Sequence, residues 1–121
     1  MGQISRALAL EQAGDYRSAL KSLMSILDDV EASSEWDGVC EWIAGDYEKL
    51  GENDQAGFWY ETAGQLALAS DSSPVPRRVS QALEFVQRAS ECYSRCGGEG
   101  ELATFRTRAI GKVLERACPP A

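Results

Sequence analysis

The chain has 121 residues, 44% hydrophobic and 26% charged, with a formal net charge of −7 and no histidine. This is one domain's worth of ordinary globular composition, long enough to bury a core without staples. No stretch approaches the roughly 20 apolar residues of a membrane span, and the start Met1-Gly2-Gln3-Ile4-Ser5-Arg6 lacks a signal-peptide pattern and has Arg6 where myristoylation wants Ser or Thr, so a cytoplasmic location is expected.

Helical periodicity begins at once. Ile4, Ala7, Leu8, Leu10 and Ala13 recur at helical spacing, and Gly14-Asp15 supplies a stop followed by a cap. A second helix carries Ala19, Leu20, Leu23, Met24, Ile26, Leu27 and Val30 as a wide apolar stripe. Ser33-Ser34 can cap a third helix, about 35–50, with Trp36, Val39, Cys40, Ile43, Tyr47 and Leu50 on its buried side. After the turn Gly51-Glu52-Asn53-Asp54, a fourth helix over about 54–69 carries Ala56, Trp59, Tyr60, Ala63, Leu66 and Ala67. Residues 71–78, with Pro74 and Pro76, form the one clear loop. A fifth helix then carries Val79, Leu83, Val86, Ala89 and Tyr93, and Gly97-Gly98-Glu99-Gly100 breaks it. The sixth has Leu102, Phe105, Ala109, Val113 and Leu114 as its apolar positions and ends at Cys118-Pro119-Pro120. The expectation is an all-α fold of three antiparallel helical hairpins, about 3–32, 34–70 and 77–118, in one domain over residues 1–121. No alternating run competes as a strand.

The hairpins repeat in sequence. Leu10-Glu11-Gln12-Ala13-Gly14-Asp15, with Ala19 beyond, matches Tyr47-Glu48-Lys49-Leu50-Gly51-Glu52, with Ala56 beyond, and Tyr93-Ser94-Arg95-Cys96-Gly97-Gly98, with Leu102 beyond. The middle copy adds Ala44, Tyr60 and Ala63, small residues for close helix approach with tyrosines around them. On these residues the chain resembles the tetratricopeptide repeat family, with a relaxed spacing similar to that of SNAP-type vesicle-fusion adaptors. Copy one lacks the aromatics, and copy three has Leu102 and Arg106 where a small residue and an aromatic belong.

The resemblance implies an α-α superhelix whose first helix in each hairpin lines a concave groove that binds protein or peptide. Carried over by position, the groove holds Ile4, Leu8 and Glu11, then Glu41, Gly45 and Glu48, then Glu84, Gln87, Glu91 and Ser94. The partner-binding candidates are Glu11, Glu41, Gly45, Glu48, Glu84, Gln87 and Glu91. The Lys, Arg and Asn with which family members grip a C-terminal carboxylate are absent from these positions. An acidic groove instead favours a basic protein or peptide, and Gly45 leaves room for an incoming side chain. The function read here is a scaffold or adaptor; an assembly chaperone or obligate subunit is the alternative.

Charge is uneven. Residues 1–73 hold fourteen acidic and four basic side chains, and residues 74–121 hold five acidic and eight basic. The basic end sits beside too much acid for nucleic-acid binding. It could meet the acidic half of a second copy, head to tail or across a two-fold axis, as a homodimer. Trp36 and Trp59 fit the core, whereas Trp42 falls between buried positions. Cys40, Cys92, Cys96 and Cys118 include no C-x-x-C pair and have no histidine to join, so they read as reduced, buried thiols with no metal. With no nucleophile elbow and no phosphate loop after a strand, neither a cofactor nor an enzyme is expected.

Overall fold

The computed structural model describes residues 2–27, 36–70 and 74–118. They form α1 (Gly2–Gln12), α2 (Tyr16–Leu27), α3 (Trp36–Lys49), α4 (Asn53–Ala69), α5 (Val75–Ser94) and α6 (Glu101–Ala117), with a short 3-10 turn, Gly97–Gly100, before α6. The fold is all-α, with no strand among the described residues. Each helix packs on its neighbours in chain order, which gives successive antiparallel hairpins. The Ser33-Ser34 cap, residues 71–73, Pro119-Pro120 and the Trp36 side chain lie outside what is described.

The first two turns close in the same way. Gly14 (φ 81°) and Gly51 (φ 78°) take the left-handed conformation that ends a helix without a Cβ penalty. Around them the Asp15 amide donates to the Leu10 carbonyl at 2.8 Å and the Glu52 amide to the Tyr47 carbonyl at 3.0 Å. These bonds satisfy carbonyls that the helix end orphans. The Asp15 carboxylate accepts from the Ser18 amide at 3.3 Å, so it caps α2 as its position predicts.

Two apolar clusters share α3. Ala7, Leu20, Leu23 and Ile26 meet Val39 and Ile43 of α3 on one side. On the other, Cys40 and Ala44 join Tyr60, Ala63, Phe85, Val86, Tyr93 and Leu114. Tyr47, Leu27 and Trp59 pack against both clusters and make the core continuous. The buried side of α4 is built largely of small residues, including Ala56, Gly57, Ala63, Gly64 and Ala67, and Gly57 and Gly64 face α5. A Cβ on Gly64 would lie 3.3 Å from Val86 Cγ2 and 3.5 Å from the Ala82 carbonyl. Small residues here bring the two backbones together, and the second hairpin grips the third through that contact.

Two expectations are corrected. The loop ends earlier than residue 78: α5 starts at Val75, with Pro74 as N-cap and Pro76 in its first turn. Proline is tolerated there because the first-turn amides have no helical partner to lose. The second correction is larger. In α6 Leu102, Phe105 and Val113 are 77%, 73% and 65% exposed, and Ala109 is exposed too. Thr104, Thr107, Gly111 and Leu114 face inward instead.

The cause is the turn. In the first two hairpins the buried positions of the second helix start five and six residues after the positive-φ glycine, at Ala19 and Leu20, then at Ala56 and Gly57. In the third hairpin the 3-10 turn delays the pattern by one residue. Burial then falls seven, ten, fourteen and seventeen residues after Gly97. One residue is about 100° of helix rotation, enough to carry an apolar stripe out of the core. The two inward threonines satisfy themselves: Thr104 donates to the Gly100 carbonyl at 2.7 Å, and the Ser90 hydroxyl donates to Thr107 Oγ1 at 2.6 Å.

Gly100 fixes this register. A Cβ there would lie 2.0 Å from the Tyr93 carbonyl oxygen and 2.8 Å from Cys96 Cβ, whereas one on Gly98 meets nothing within 4 Å. Gly100→Ala is therefore expected to cost about 3 kcal/mol, because backbone must move. Gly98→Ala in the same turn should stay within about 0.5 kcal/mol of the parent. Urea denaturation followed by far-ultraviolet circular dichroism measures both; equal effects would show that the turn does not set the register of α6.

Candidate functional site

The seven candidate positions do not form one continuous row. Glu11 lies between α1 and α3, where the Trp42 indole N–H donates to its carboxylate. Glu41, Glu48 and Glu84 gather between α3 and α5, and arginines join them there. Arg88 contacts Glu41 at 3.1 Å and Glu84 at 3.5 Å, and Arg95 contacts Glu48 at 2.8 Å. Gln87 and Glu91 stand apart, lining an open groove of about 660 Å³ between α5 and α6 with Phe105, Arg108 and Lys112. Gly45 is half-buried on α3, and a Cβ there, or on Gly38 one heptad earlier, would meet nothing within 4 Å. Open space thus lies beside both glycines.

The charged groups are wired through tyrosines. Tyr60 donates to Glu48 at 2.5 Å, and the Arg88 guanidinium lies 5.7 Å from the centre of the Tyr60 ring. One layer on, Tyr93 donates to Glu61 at 2.6 Å, Arg106 pairs with the same carboxylate at 2.6 Å, and its guanidinium lies 5.9 Å from the Tyr93 ring. A carboxylate, a phenol and an arginine thus clasp α3, α4 and α5, and again α4, α5 and α6. Burial, then the hydrogen bond to the acceptor glutamate, pushes both phenols above their ordinary pKa, so they remain neutral donors. Burial opposes the charge of Glu48, but the bonds from Tyr60 and Arg95 outweigh it and hold its carboxyl below the usual range.

The sequence did not single out Asp46. It is only 1% exposed, and its Oδ2 finds no hydrogen-bond partner among the described residues. It sits in the α3 stripe Val39–Ile43–Asp46–Leu50, at the spacing of a core residue, and that periodicity was the available signal. Glu11 of α1 faces it and Lys49 lies on its own helix. Burial, then the hydrogen bond and charge of Glu11, raises the Asp46 carboxyl to about 7; Lys49 pulls the other way. When protonated, Asp46 can donate to Glu11, which the Trp42 indole already bonds, and so tie α1 to α3.

Other chemistry is sparse. Among the described residues no group of three or more Cys, Asp or Glu could hold a metal ion, and no helix is long and apolar enough to cross a membrane. The four cysteines form no disulfide, and burial, with the nearby Glu48 charge, pushes the Cys92 thiol up to about 12. No family model matches the chain, and neither a curated protein nor a solved structure matches it.

The raised Asp46 pKa has a signed consequence. The folded state binds this proton more tightly than the unfolded chain, so the stabilisation is complete below about pH 4 and is lost as pH rises towards 7. Asp46→Asn should flatten the stability profile between pH 4 and 7. It should also stabilise the protein at pH 8 by at least about 1 kcal/mol, given that a tenfold change in proton affinity is about 1.4 kcal/mol. Chemical denaturation across pH checks this; a parent profile that rises from pH 4 to 7 would contradict it.

Proposed function

We propose that this protein is a small helical-repeat adaptor, of the kind that tetratricopeptide repeats form, and that the face made by α1, α3 and α5 captures a basic segment of a partner protein. The observation that carries this reading is a strip of α3 without side chains at Gly38 and Gly45, where a Cβ would meet nothing within 4 Å, with Glu41 and Glu48 on the same helix.

Charge supports the sign of the partner. Glu11, Glu41, Glu48 and Glu84 belong to these three helices, against the two arginines Arg88 and Arg95 beside them. The arginines occupy some carboxylate lone pairs, yet the face keeps an acidic excess. Glu84 and Glu41 have side chains 64% and 41% exposed, so a partner's lysine or arginine reaches them without prior unfolding. Exposed Ile4 and Leu8 lie at the α1 edge of the face, next to Glu11, and offer apolar contact to the same segment. Such a surface gains encounter rate and specificity from charge, and affinity from whatever packs on the bare strip.

The test separates binding from folding. Gly45→Gln puts a side chain into empty space on a helix, and replacing a helical glycine with a good helix former should add up to about 1 kcal/mol of stability. The same change covers the bare strip. The expected result is an equally or more stable protein that no longer retains the partner found in a pull-down with mass spectrometry. The charge reversal Glu84→Lys should weaken capture of the same partner. Unchanged retention in both variants removes this face from consideration.

A further inference from the structure

The two ends of the helical stack differ. At the α1–α2 end Arg6, Ser18, Lys21, Ser22 and Ser25 line a groove with Leu10, a mainly polar and basic surface. At the α6 end they are apolar, with Leu102, Phe105, Ala109 and Val113 all exposed along one line. Single exposed apolar residues are ordinary, but an aligned row on a helix is the mark of a contact surface. Head-to-tail stacking would bring this face, which also carries Lys112 and Arg116, against Arg6 and Lys21 of the next copy. Like charges oppose that arrangement.

The row has its own symmetry. Leu102, Phe105, Ala109, Val113 and Arg116 are spaced three, four, four and three residues apart, so the order reads the same from either end about Ala109. An isologous contact needs this property, because the same patch must serve both copies. Place an antiparallel second α6 with its two-fold axis at Ala109. The two Ala109 residues meet where the helices cross, and their small size permits close approach. Each Phe105 then meets Val113 of the other copy, and each Leu102 lies along the aliphatic stem of the other Arg116. Glu101, in the first turn of α6, comes beside the other copy's Arg116 in the last turn, and Lys112 comes over the other Phe105 ring. The apolar pairs are large against small, and the end charges are opposite.

We propose that this outer face of α6 joins two copies of the chain as an antiparallel, two-fold dimer centred on Ala109. The contact is essentially one helix pair, smaller than the roughly 1,600 Å² of a standard interface, so the association is weak and concentration-dependent. It leaves the α1–α3–α5 face open, and it stands or falls independently of partner capture there.

Sedimentation equilibrium over a range of concentrations tests the dimer. The parent chain is expected to shift from monomer to dimer in the micromolar range. Phe105→Glu changes a residue 73% exposed, so the fold should persist by circular dichroism while the dissociation constant rises at least about tenfold. Glu101→Arg and Arg116→Glu should each weaken pairing about threefold, and the double charge swap should restore it. A chain that stays monomeric up to about 1 mM overturns the proposal. A dimer undiminished by Phe105→Glu also overturns it, and failure of the double swap to rescue overturns the two-fold register.

Discussion

Tyr93 can reach Glu61 because residue 57 has no side chain. A Cβ on Gly57 would lie 2.7 Å from the Tyr93 ring, too close for any real packing. The ring lies flat over that gap, crosses from α5 to α4, and donates to Glu61, which in turn holds Arg106 of α6. One missing methyl therefore lets three helices share a hydrogen-bonded centre whose carboxylate side chain is only 14% exposed. The small residues that continue along α4, ending at Gly64 and Ala67, keep the α4–α5 separation short over the whole contact. Larger residues would push the helices apart and leave Glu61 without its phenol, and a shielded carboxylate with fewer partners is costly.

The same logic accounts for the lopsided charge distribution. Acidic residues concentrate before residue 74 and basic ones after it, and much of that asymmetry is consumed inside the molecule. Glu41, Glu48 and Glu61 belong to the second hairpin; Arg88, Arg95 and Arg106 belong to the third. These three ion pairs run across the joint between the two hairpins. Individually an exposed pair of this kind is worth about 0–1 kcal/mol. Their placement matters more than their strength, because a shifted hairpin would set glutamate against the wrong neighbour. The first hairpin is attached differently. It relies on an ion pair between Arg17 and Glu52, on Lys49 over the Tyr16 ring, and on the Trp42–Glu11–Asp46 group. The last of these weakens as pH rises through 7, so the first hairpin is the one whose attachment depends on protonation.

Six helices and the class of the fold were legible in the sequence, because α1 to α5 follow the 3.6-residue period with glycine at the first two turns. The phase of α6 was not. Leu102, Phe105, Ala109 and Val113 are as regular a stripe as any in the chain, and a stripe does not announce whether it faces its own core or something else. What decided the matter was a 3-10 turn and the contact of Gly100 with the Tyr93 carbonyl, a tertiary fact with no periodic signature. The candidate face was legible in part. Position gave the glutamates and Gly45, but Arg88 and Arg95 were missed as their partners because the sequence was read one face at a time. Asp46 was missed because the buried side of α3 was read from its apolar residues alone, although the spacing of Asp46 from Ile43 and Leu50 is that of a core residue.

A face whose carboxylates already hold arginines can still select a basic ligand. On the proposed reading, binding there would exchange one guanidinium for another at Glu41 or Glu84 rather than create a new ion pair, so the net electrostatic gain would be small. The energy of capture would then have to come from contact with the bare strip at Gly38 and Gly45 and from apolar contact at Ile4 and Leu8. A partner bringing charge without a side chain that packs on the strip would gain little, and one bringing the shape without the charge would have to bury the remaining carboxylates unpaired. Arg88 and Arg95 would then hold the glutamates until a partner displaces them, raising the discrimination of the proposed face at the expense of its affinity.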